Sequence, residues 1–436
     1  MINESKMTEE EVKKNSDELV DILKSSTTKE GKAPQADLNL WDFIDIADDP
    51  TTRYQTFETI GEGFGGIVYL CKDAKTNEDV AIKKVILTEE NEKSLATEIF
   101  MMKTSSHPNI VEFKKCYYCA TRIWIVMEYM DGGSLGDIID VHHLFRLTEL
   151  QIRWVIWNVA KGLSFLHKKD RIHRDIKSDN ILLTTDGQVK IGDFGFVAQL
   201  LGKDKKRRTR LGTPYWMAPE VIKGKKYDYT ADVWSLGILV WECAEGDPPY
   251  YNLTKLKALL QITKYGCPPL NNVDAWSNEM NDFLKLCLKK KPEKRATMDM
   301  LLKHPWLQPA ASDSNTNRLT PLVKAVKEKK LQKEMMGPTV AKEFMGNPIN
   351  QILFMAYGPS GAPDRDDSMV TREESDIQIV ELEKLTAREE EGRKENERNG
   401  SVPTKPDFVF KQEETKILKS ECDDNKIQNL ETSSES

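Results

Sequence analysis

The sequence predicts an α+β protein in which a small strand-rich part is followed by a larger helical part. Three stretches indicate strands. "FETIGEGFGGIVYLCKD" has a β-rich run on each side of a glycine-rich turn, "DVAIKKVIL" alternates, and "IWIVMEYM" is a further buried strand. From Leu147 onward, apolar residues recur at helical spacing instead. The second part is therefore expected to be built mainly from helices.

Two predicted helices dominate the second part. "LTELQIRWVIWNVAKGLSFLHKK" repeats apolar residues every three or four positions, and Thr148 is a suitable N-cap. "DVWSLGILVWECAEG" is apolar nearly all round, as expected for a helix buried on every side. Dense apolar periodicity and turn signals extend over residues 54–307, which we take as the main domain.

Composition excludes several classes of protein. The 436 residues are 39% hydrophobic and 31% charged, as is normal for a globular protein with charged extensions. A net charge of −7 argues against a nucleic-acid partner. No apolar run approaches the ~20 residues of a transmembrane segment. "MINESKMTEE" at the start lacks the features of a secretory signal, and the seven cysteines are scattered, so we expect a cytoplasmic protein.

The regions on both sides of the main domain are rich in charge. Residues 1–53 are predicted to be a mostly disordered extension, although docking of the apolar island "LWDFIDI" onto the main domain is an alternative. Residues 308–358 are predicted to be a linker with a basic amphipathic helix at Leu319–Met336. An ordinary solvated helix is favoured there over one that binds an acidic membrane, a calmodulin-like partner or the domain's own cleft. Residues 359–436 are predicted to be a largely disordered charged tail.

A glycine-rich turn is the first motif with chemical meaning. Residues 61–68, "GEGFGGIV", fit G-x-G-x-x-G-x-V, which is a weak signal alone. A dinucleotide-binding turn would lead into a helix, whereas "IVYL" continues here as a second strand. The turn therefore joins a hairpin, whose backbone N–H groups can approach phosphates without side-chain clashes.

A lysine ends the next strand, "VAIK". Lys83 can offer a point charge to phosphates if a carboxylate holds it in place. Glu98, in the following helical segment, is the candidate partner. Glu89 and Glu92 are rivals for that role on the sequence alone.

Three further motifs follow in the helical part. In "RIHRDIKSDN", Asp175 can accept a hydroxyl proton, Lys177 can steady phosphate charge, and Asn180 can bind a metal. Asp193, in "DFG", follows the strand "QVKIG", and a carboxylate on such a turn can bind Mg²⁺. The last of the three is "APE", which ends at Glu220.

These five motifs, in this order and spacing, resemble a complete eukaryotic protein kinase domain over residues 54–307. The resemblance implies a bilobal protein kinase fold with a small β-rich N-lobe, a large helical C-lobe, and ATP between them. It also implies that Lys83 contacts phosphates and pairs with Glu98, that Asn180 and Asp193 hold Mg²⁺, and that Asp175 orients the acceptor hydroxyl. Glu220 is expected to form a structural ion pair with Arg295.

The resemblance also implies an adenine and phosphate site. Met127 would guard the back of the adenine pocket, and residues 128–130 would be the hinge whose backbone reads the adenine edge. The residues expected to bind ATP are Ile60, Gly61, Gly63, Gly66, Val68, Ala81, Lys83, Met127, Glu128 and Met130.

Acceptor specificity follows from the same resemblance. Lys177, together with Thr213 in "GTPYW", is typical of serine/threonine kinases. Asp179 and Glu242 fall where relatives that prefer basic substrates place acids, so we expect protein substrates with basic residues near the acceptor Ser/Thr.

Thr209 is the candidate activation phosphosite. It lies among lysines and arginines in "GKDKKRRTRLGTPYWMAPE", which resembles an activation loop. Phosphate would add roughly −1.5 to −2 charges near Arg174, and an arginine–phosphate contact could then order the loop.

"GTPYWMAPEVI" and "VMEYMDGGSL" resemble the sterile-20 (STE) group of kinases, and "GFVAQL" is similar to its PAK-like branch. Germinal-centre kinases are the near rival. PAK-like kinases are switched by small Rho-type GTPases, but no "ISxP…H" binding pattern is found here, so such a partner stays open. A pseudokinase scaffold is the alternative from another class. Lys83, Asp175, Asn180 and Asp193 are all present, which disfavours it.

Overall fold

The computed structural model describes residues 38–47, 49–63, 66–142, 144–200, 206–311 and 318–335. The first lobe is a five-stranded antiparallel sheet with strand order β1-β2-β3-β5-β4. Its elements are the short helix α1 (Pro50–Arg53), strands β1 (Tyr54–Gly63), β2 (Gly66–Asp73) and β3 (Asp79–Ile86), helix α2 (Glu92–Lys103), and strands β4 (Phe113–Cys119) and β5 (Arg122–Glu128). β1 and β2 pair from Tyr54↔Asp73 to Gly63↔Gly66, which confirms the predicted hairpin.

The second lobe is mainly helical. Its α-helices are α3 (Leu135–Ile139), α4 (Glu149–Lys168), α5 (Pro219–Ile222), α6 (Thr230–Glu245), α7 (Lys255–Tyr265), α8 (Asn278–Cys287), α9 (Met298–Leu301), α10 (Gln308–Ala311) and α11 (Thr320–Met335). Thr148 caps α4 as predicted, in a reciprocal capping box with Gln151. Every residue of α6 from Ala231 to Ala244 is buried, which confirms the all-round burial predicted from its sequence. The two lobes confirm the predicted bilobal fold.

Two small sheets hold the charged segments that link these helices. β6 (Arg171–Ile172) pairs with β9 (Ala198–Gln199), and β7 (Ile181–Leu183) pairs with β8 (Val189–Ile191). The charged stretch 173–180 spans the interval between β6 and β7. Both of its ends are therefore fixed to buried strands.

Residues 38–47, which lie within the extension predicted over residues 1–53, pack onto the main domain, as in the docking alternative. Leu40 is 1% exposed, and it lies in the same apolar core as residues of α2. Asn39 caps the 3₁₀ turn Leu40–Phe43 by accepting from the Trp41 N–H. Disorder was favoured because the composition averaged over residues 1–53 is mostly charged and polar, and this average hides one short apolar segment. Residues 1–37 lie outside the described residues.

The predicted basic helix is present as α11, but the solvated interpretation is wrong. Val323 and Val326 are buried in the C-lobe core, as is Leu319 just before the helix. On the same helix, Lys330 pairs with Asp137 of α3 at 2.5 Å, and Lys327 donates to the Asp131 carbonyl at 3.1 Å. The helix therefore docks on its own domain, beside α3. The charged tail, residues 359–436, lies outside the described residues.

Within the described ranges, none of the helices combines the length and apolar character needed to cross a membrane.

Candidate active site

The carboxylate of Asp175 is held from two sides. Asp175 is 4% exposed, and its Oδ1 accepts from the Thr213 backbone N–H at 2.9 Å and from the Thr213 hydroxyl at 2.7 Å. Its Oδ2 accepts from the Asn180 amide at 2.9 Å. The same amide nitrogen donates to the Asp175 carbonyl at 2.8 Å. These bonds fix the direction of a carboxylate that has the chemistry of a proton acceptor.

A buried aspartate of α6 holds the backbone that presents Asp175. Asp232 is fully buried, and its carboxylate accepts from the His173 N–H at 2.9 Å and the Arg174 N–H at 2.8 Å. Arg174 is in a left-handed conformation with φ of 73°, which these bonds stabilise. Burial disfavours the charge on Asp232, but hydrogen bonding and charge from His167 and neighbouring donors outweigh it and lower its pKa.

Sequence reasoning missed Asp232. The signal was present, because an acid stands in the otherwise apolar run "DVWSLGILVW". A fully buried carboxylate needs several donors, and the turn from His173 to Arg174 supplies them. Asp232 is a positioning residue for the segment that carries Asp175.

Asn180 and Asp193 reach the same end of the β7–β8 pair. Asn180 directly precedes β7, Asp193 is the second residue after β8, and the register pairs Ile181 with Ile191. The Gly192 N–H also donates to the Asn180 carbonyl at 2.8 Å. Because the Asn180 amide nitrogen donates to Asp175, its side-chain oxygen is left for another partner. Amide and carboxylate oxygens suit Mg²⁺, which binds one or two such protein groups together with substrate phosphates.

Lys83 of β3 pairs with Glu98 of α2. The distance from Nζ to Oε1 is 2.7 Å, and both side chains are largely buried. The structure selects Glu98 over Glu89 and Glu92, which precede or begin α2. Burial opposes the charge of Lys83, but the carboxylates of Glu98 and Asp193 outweigh it, so the pKa of Lys83 lies above its ordinary value. The lysine is therefore a fixed positive charge near Asp193.

The β1–β2 hairpin carries the glycine-rich motif. Gly66 has φ of 119°, and a Cβ there would lie 2.6 Å from the Lys84 carbonyl oxygen, so only glycine fits. At Gly61 a Cβ would make ordinary contact with Val68 at 3.8 Å. Gly63 ends β1, while residues 64 and 65 lie outside the described ranges.

The other residues predicted to bind the adenine lie on neighbouring strands or, for Met130, just after one. Ala81 pairs with Met127 across β3 and β5, and Val68 of β2 pairs with Lys83. Ile60 of β1 is 40% exposed, and Met130, just after β5, is 6% exposed. Sheet register therefore brings Val68, Ala81 and Met127 to one region next to Lys83.

Lys177 extends toward Asp179, with 3.3 Å between Nζ and the carboxylate. The Asp179 side chain is 63% exposed, so it can meet an incoming charged group.

The role predicted for Glu242 in attracting substrate is wrong. Glu242 is 3% exposed, and its carboxylate accepts from the Ser178 hydroxyl at 2.5 Å and the Trp216 indole at 2.9 Å. Burial raises its pKa to about 7, although hydrogen bonds from Ser178 and Trp216 oppose the rise. Of the two predicted acids, only Asp179 faces outward.

Glu242 is expected to make stability fall as pH rises from 5 to 7. The unfolded chain loses this proton near 4.5 and the folded chain near 7, so the folded state holds one more proton in between. The free energy of unfolding then falls by up to ~1.4 kcal/mol per pH unit. Glu242→Gln should flatten this slope in urea unfolding, whereas Glu279→Gln, at an exposed site, should leave it unchanged. Equal slopes for wild type and Glu242→Gln would contradict the assignment.

Residues 206–210, in the stretch that resembles an activation loop, contact Tyr227. Arg207 and Tyr227 exchange two backbone hydrogen bonds of 2.8 Å. The Tyr227 hydroxyl donates to the Thr209 carbonyl at 2.7 Å. Arg174 donates from Nε to the Phe196 carbonyl at 2.6 Å. Thr209 is half-buried in this arrangement.

Glu220 and Arg295 form the predicted structural ion pair. The guanidinium makes two parallel bonds to the carboxylate, of 2.5 and 2.6 Å, and both side chains are buried. This pair joins α5 to the segment between α8 and α9.

Fold and site together define the class. The family model of the protein kinase domain matches residues 54–307, and the chain belongs to the protein kinase family. It is 42% identical over 341 residues to serine/threonine-protein kinase pakA of Dictyostelium discoideum, and 43% identical over 313 residues to serine/threonine-protein kinase PAK 1 of Mus musculus. It is 45% identical over 288 residues to serine/threonine-protein kinase STE20 of Saccharomyces cerevisiae. The predicted similarity to the STE group and its PAK-like branch is confirmed.

The alignments cover most of this chain but less of the relatives. They include 75%, 71% and 66% of this chain, against 28% of pakA, 56% of PAK 1 and 30% of STE20. The chain thus spans less than two thirds of the length of each of these relatives. Protein kinases as a family use ATP and, in general, Mg²⁺.

Proposed function

We propose that this chain is an ATP-dependent serine/threonine protein kinase of the PAK-like type, which transfers the γ-phosphate of ATP to Ser or Thr of protein substrates. The observation that carries the proposal is the Asp175 carboxylate, held by Thr213 and Asn180. Phosphoryl transfer needs positioning and charge neutralisation more than covalent chemistry. Thr213 and Asn180 position Asp175, and the positive charges of Lys83 and Lys177 oppose the charge of the phosphates.

Each residue has a distinct role in the proposal. Asp175 orients the acceptor hydroxyl and takes its proton, while Thr213 keeps the carboxylate turned toward that hydroxyl. Lys83, held by Glu98, binds the α- and β-phosphates, and Lys177 steadies the charge of the transferred group. Asn180 and Asp193 would hold Mg²⁺, which neutralises phosphate charge when bound. The β1–β2 hairpin covers the phosphates.

Transfer of labelled phosphate from ATP tests the proposal. Purified wild type and Asp193→Ala are each incubated with ATP, Mg²⁺ and myelin basic protein, a generic basic substrate. We expect wild type to phosphorylate the substrate and Asp193→Ala to be inactive. Equal transfer by both proteins would assign the activity to a contaminant, and no transfer by wild type after phosphorylation of Thr209 would contradict the proposal.

Substrates are proposed to carry basic residues near the acceptor. The exposed Asp179 carboxylate, two residues from Lys177 in the segment that carries Asp175, supports this preference. A peptide library should show selection for Arg or Lys on the N-terminal side, and Asp179→Asn should weaken it. A profile without basic preference would contradict it.

Thr209 is proposed as the activating phosphosite. A phosphate there would add charge beside Arg207 and Arg210 and could recruit Arg174. Charge-assisted contacts are worth roughly 1.5–3 kcal/mol each, so Thr209→Ala should lower activity ~10- to 100-fold after preincubation with ATP. Thr76→Ala, on an exposed N-lobe turn, is the matched control and should retain full activity. Full activity of Thr209→Ala would exclude this site as the switch.

A further inference from the structure

The apolar island that precedes the kinase domain is folded onto the N-lobe. We name residues 38–47 the N-terminal clamp. Leu40 is 1% exposed and lies in one core with Leu95, Ile99 and Met102 of α2. Asn39 closes the 3₁₀ turn that begins at Leu40. Leu40 is therefore part of the packing that holds α2.

Phe43 provides a second contact with the same helix. Its ring centroid lies 6.3 Å from that of Phe100, and the Lys103 ammonium group lies 5.6 Å from the Phe43 ring centroid. Phe100 and Lys103 are in the C-terminal half of α2, beyond Glu98. Both contacts fall within the ordinary range for aromatic and cation–π pairs.

The clamp is also tied to the sheet through β4. The Asp45 N–H donates to the Cys116 carbonyl at 2.7 Å, and the Asp45 carboxylate pairs with Lys115 at 2.6 Å. The Trp41 ring packs edge-on against Tyr118 at 5.1 Å. The clamp thus contacts both β4, a strand of the N-lobe sheet, and α2, the helix that carries Glu98.

Glu98 is the link between the clamp and the chemistry. It lies on α2 two residues before Phe100, which contacts Phe43 of the clamp, and its carboxylate is 2.7 Å from Lys83. A shift or rotation of α2 would separate this pair. We propose that the N-terminal clamp is a positioning element that keeps α2 where Glu98 meets Lys83. Release of the clamp from α2 and β4 lowers the rate of phosphoryl transfer.

This inference rests on the proposed kinase activity. Kinetics and hydrogen exchange together distinguish a failure of the inference from a failure of the proposed activity. The full chain is compared with Leu40→Ala/Phe43→Ala, and Ile46→Ala is the matched control because Ile46 belongs to the clamp but is 93% exposed. We measure kcat and the KM for ATP, and we also measure hydrogen exchange of the amides in α2 and α4. A misplacement of ~1 Å can cost about 100-fold, so we expect the double variant to lose ~10- to 100-fold in kcat.

Hydrogen exchange distinguishes positioning from general stability. We expect faster exchange in α2 and unchanged exchange in α4 for the double variant, and wild-type behaviour for Ile46→Ala. Leu40→Met, which conserves volume, should retain activity. Should the double variant not fold, Phe43→Ala serves the same comparison because Phe43 is only partly buried.

Two results would overturn the inference. The first is wild-type kcat together with wild-type α2 exchange in the double variant. The second is an equal rise of exchange in α2 and α4, which would show loss of stability rather than of position. An inactive wild type would count against the proposed function alone, because exchange in α2 still reports whether the clamp holds the helix.

Discussion

Replacing Asp175 with asparagine is expected to lower kcat by about 10³-fold, within the range of 10² to 10⁴ that a positioned proton acceptor contributes. The asparagine side chain has nearly the same shape, and its amide oxygen can still accept from Thr213, whereas its NH₂ group cannot accept from Asn180. It cannot take the proton from the acceptor hydroxyl. The KM for ATP should change little, because the nucleotide contacts are assigned to Lys83 and the β1–β2 hairpin.

The control for Asp175→Asn is the same replacement at Asp274, an exposed residue of the C-lobe. Steady-state assays of both variants with a Ser/Thr peptide make the comparison, and thermal unfolding verifies that both are folded. Activity of Asp175→Asn above a tenth of wild type would contradict the role of Asp175 as proton acceptor.

Breaking the Glu220–Arg295 pair is expected to have the largest effect on stability. The Arg295 guanidinium group has further contacts: it donates to the Lys289 carbonyl at 2.7 Å and to the Thr230 carbonyl at 3.0 Å, and it lies over the Trp234 ring. Glu220→Gln leaves this buried charge without its partner, which costs about 3–5 kcal/mol of unfolding free energy. Urea unfolding measures the loss.

Two comparisons make that result specific. Glu293→Gln changes an exposed acid near Arg295 and should alter stability by less than ~0.5 kcal/mol. Arg295→Lys alone should also lower the free energy of unfolding, because an ammonium group cannot reproduce two parallel bonds to one carboxylate. A loss below ~1 kcal/mol for Glu220→Gln would mean that the pair does not carry the predicted energy.

Candidate site residues could be named from the sequence because phosphoryl transfer restricts residue types. A lysine, a proton acceptor and oxygen ligands must occur at workable spacings, and Lys83, Asp175, Asn180 and Asp193 do. The sequence alone could not choose Glu98 over Glu89 and Glu92 as the partner of Lys83. That choice depends on how α2 is rotated against β3, which is set by packing and not by spacing.

Burial of charge was harder to predict. Asp232 and Glu242 stand ten residues apart in one apolar helix, and the sequence gives each only as an acid among apolar neighbours. Their roles depend on which donors fold over them: two backbone N–H groups for Asp232, and Ser178 and Trp216 for Glu242. Resemblance therefore assigned Glu242 to an exposed face that it does not occupy.

For the two segments next to the domain, docking was only the less favoured alternative, for a related reason. Leu40 in the N-terminal clamp and Val323 in α11 each anchor a charged stretch by burying a few apolar side chains. Composition averages over such stretches and so favours disorder or solvation. Both segments dock because the folded domain offers apolar surface to these side chains, and composition alone does not show that surface.

The central claim is that this chain transfers phosphate from ATP to serine or threonine. The most direct test offers wild type, already phosphorylated on Thr209, three basic peptides that are identical except for Ser, Thr or Tyr as acceptor, with mass spectrometry of the products. We predict phosphate on the Ser and Thr peptides, none on the Tyr peptide, and no transfer by Asp193→Ala. Phosphate on the Tyr peptide, or on none of the three, would contradict the account.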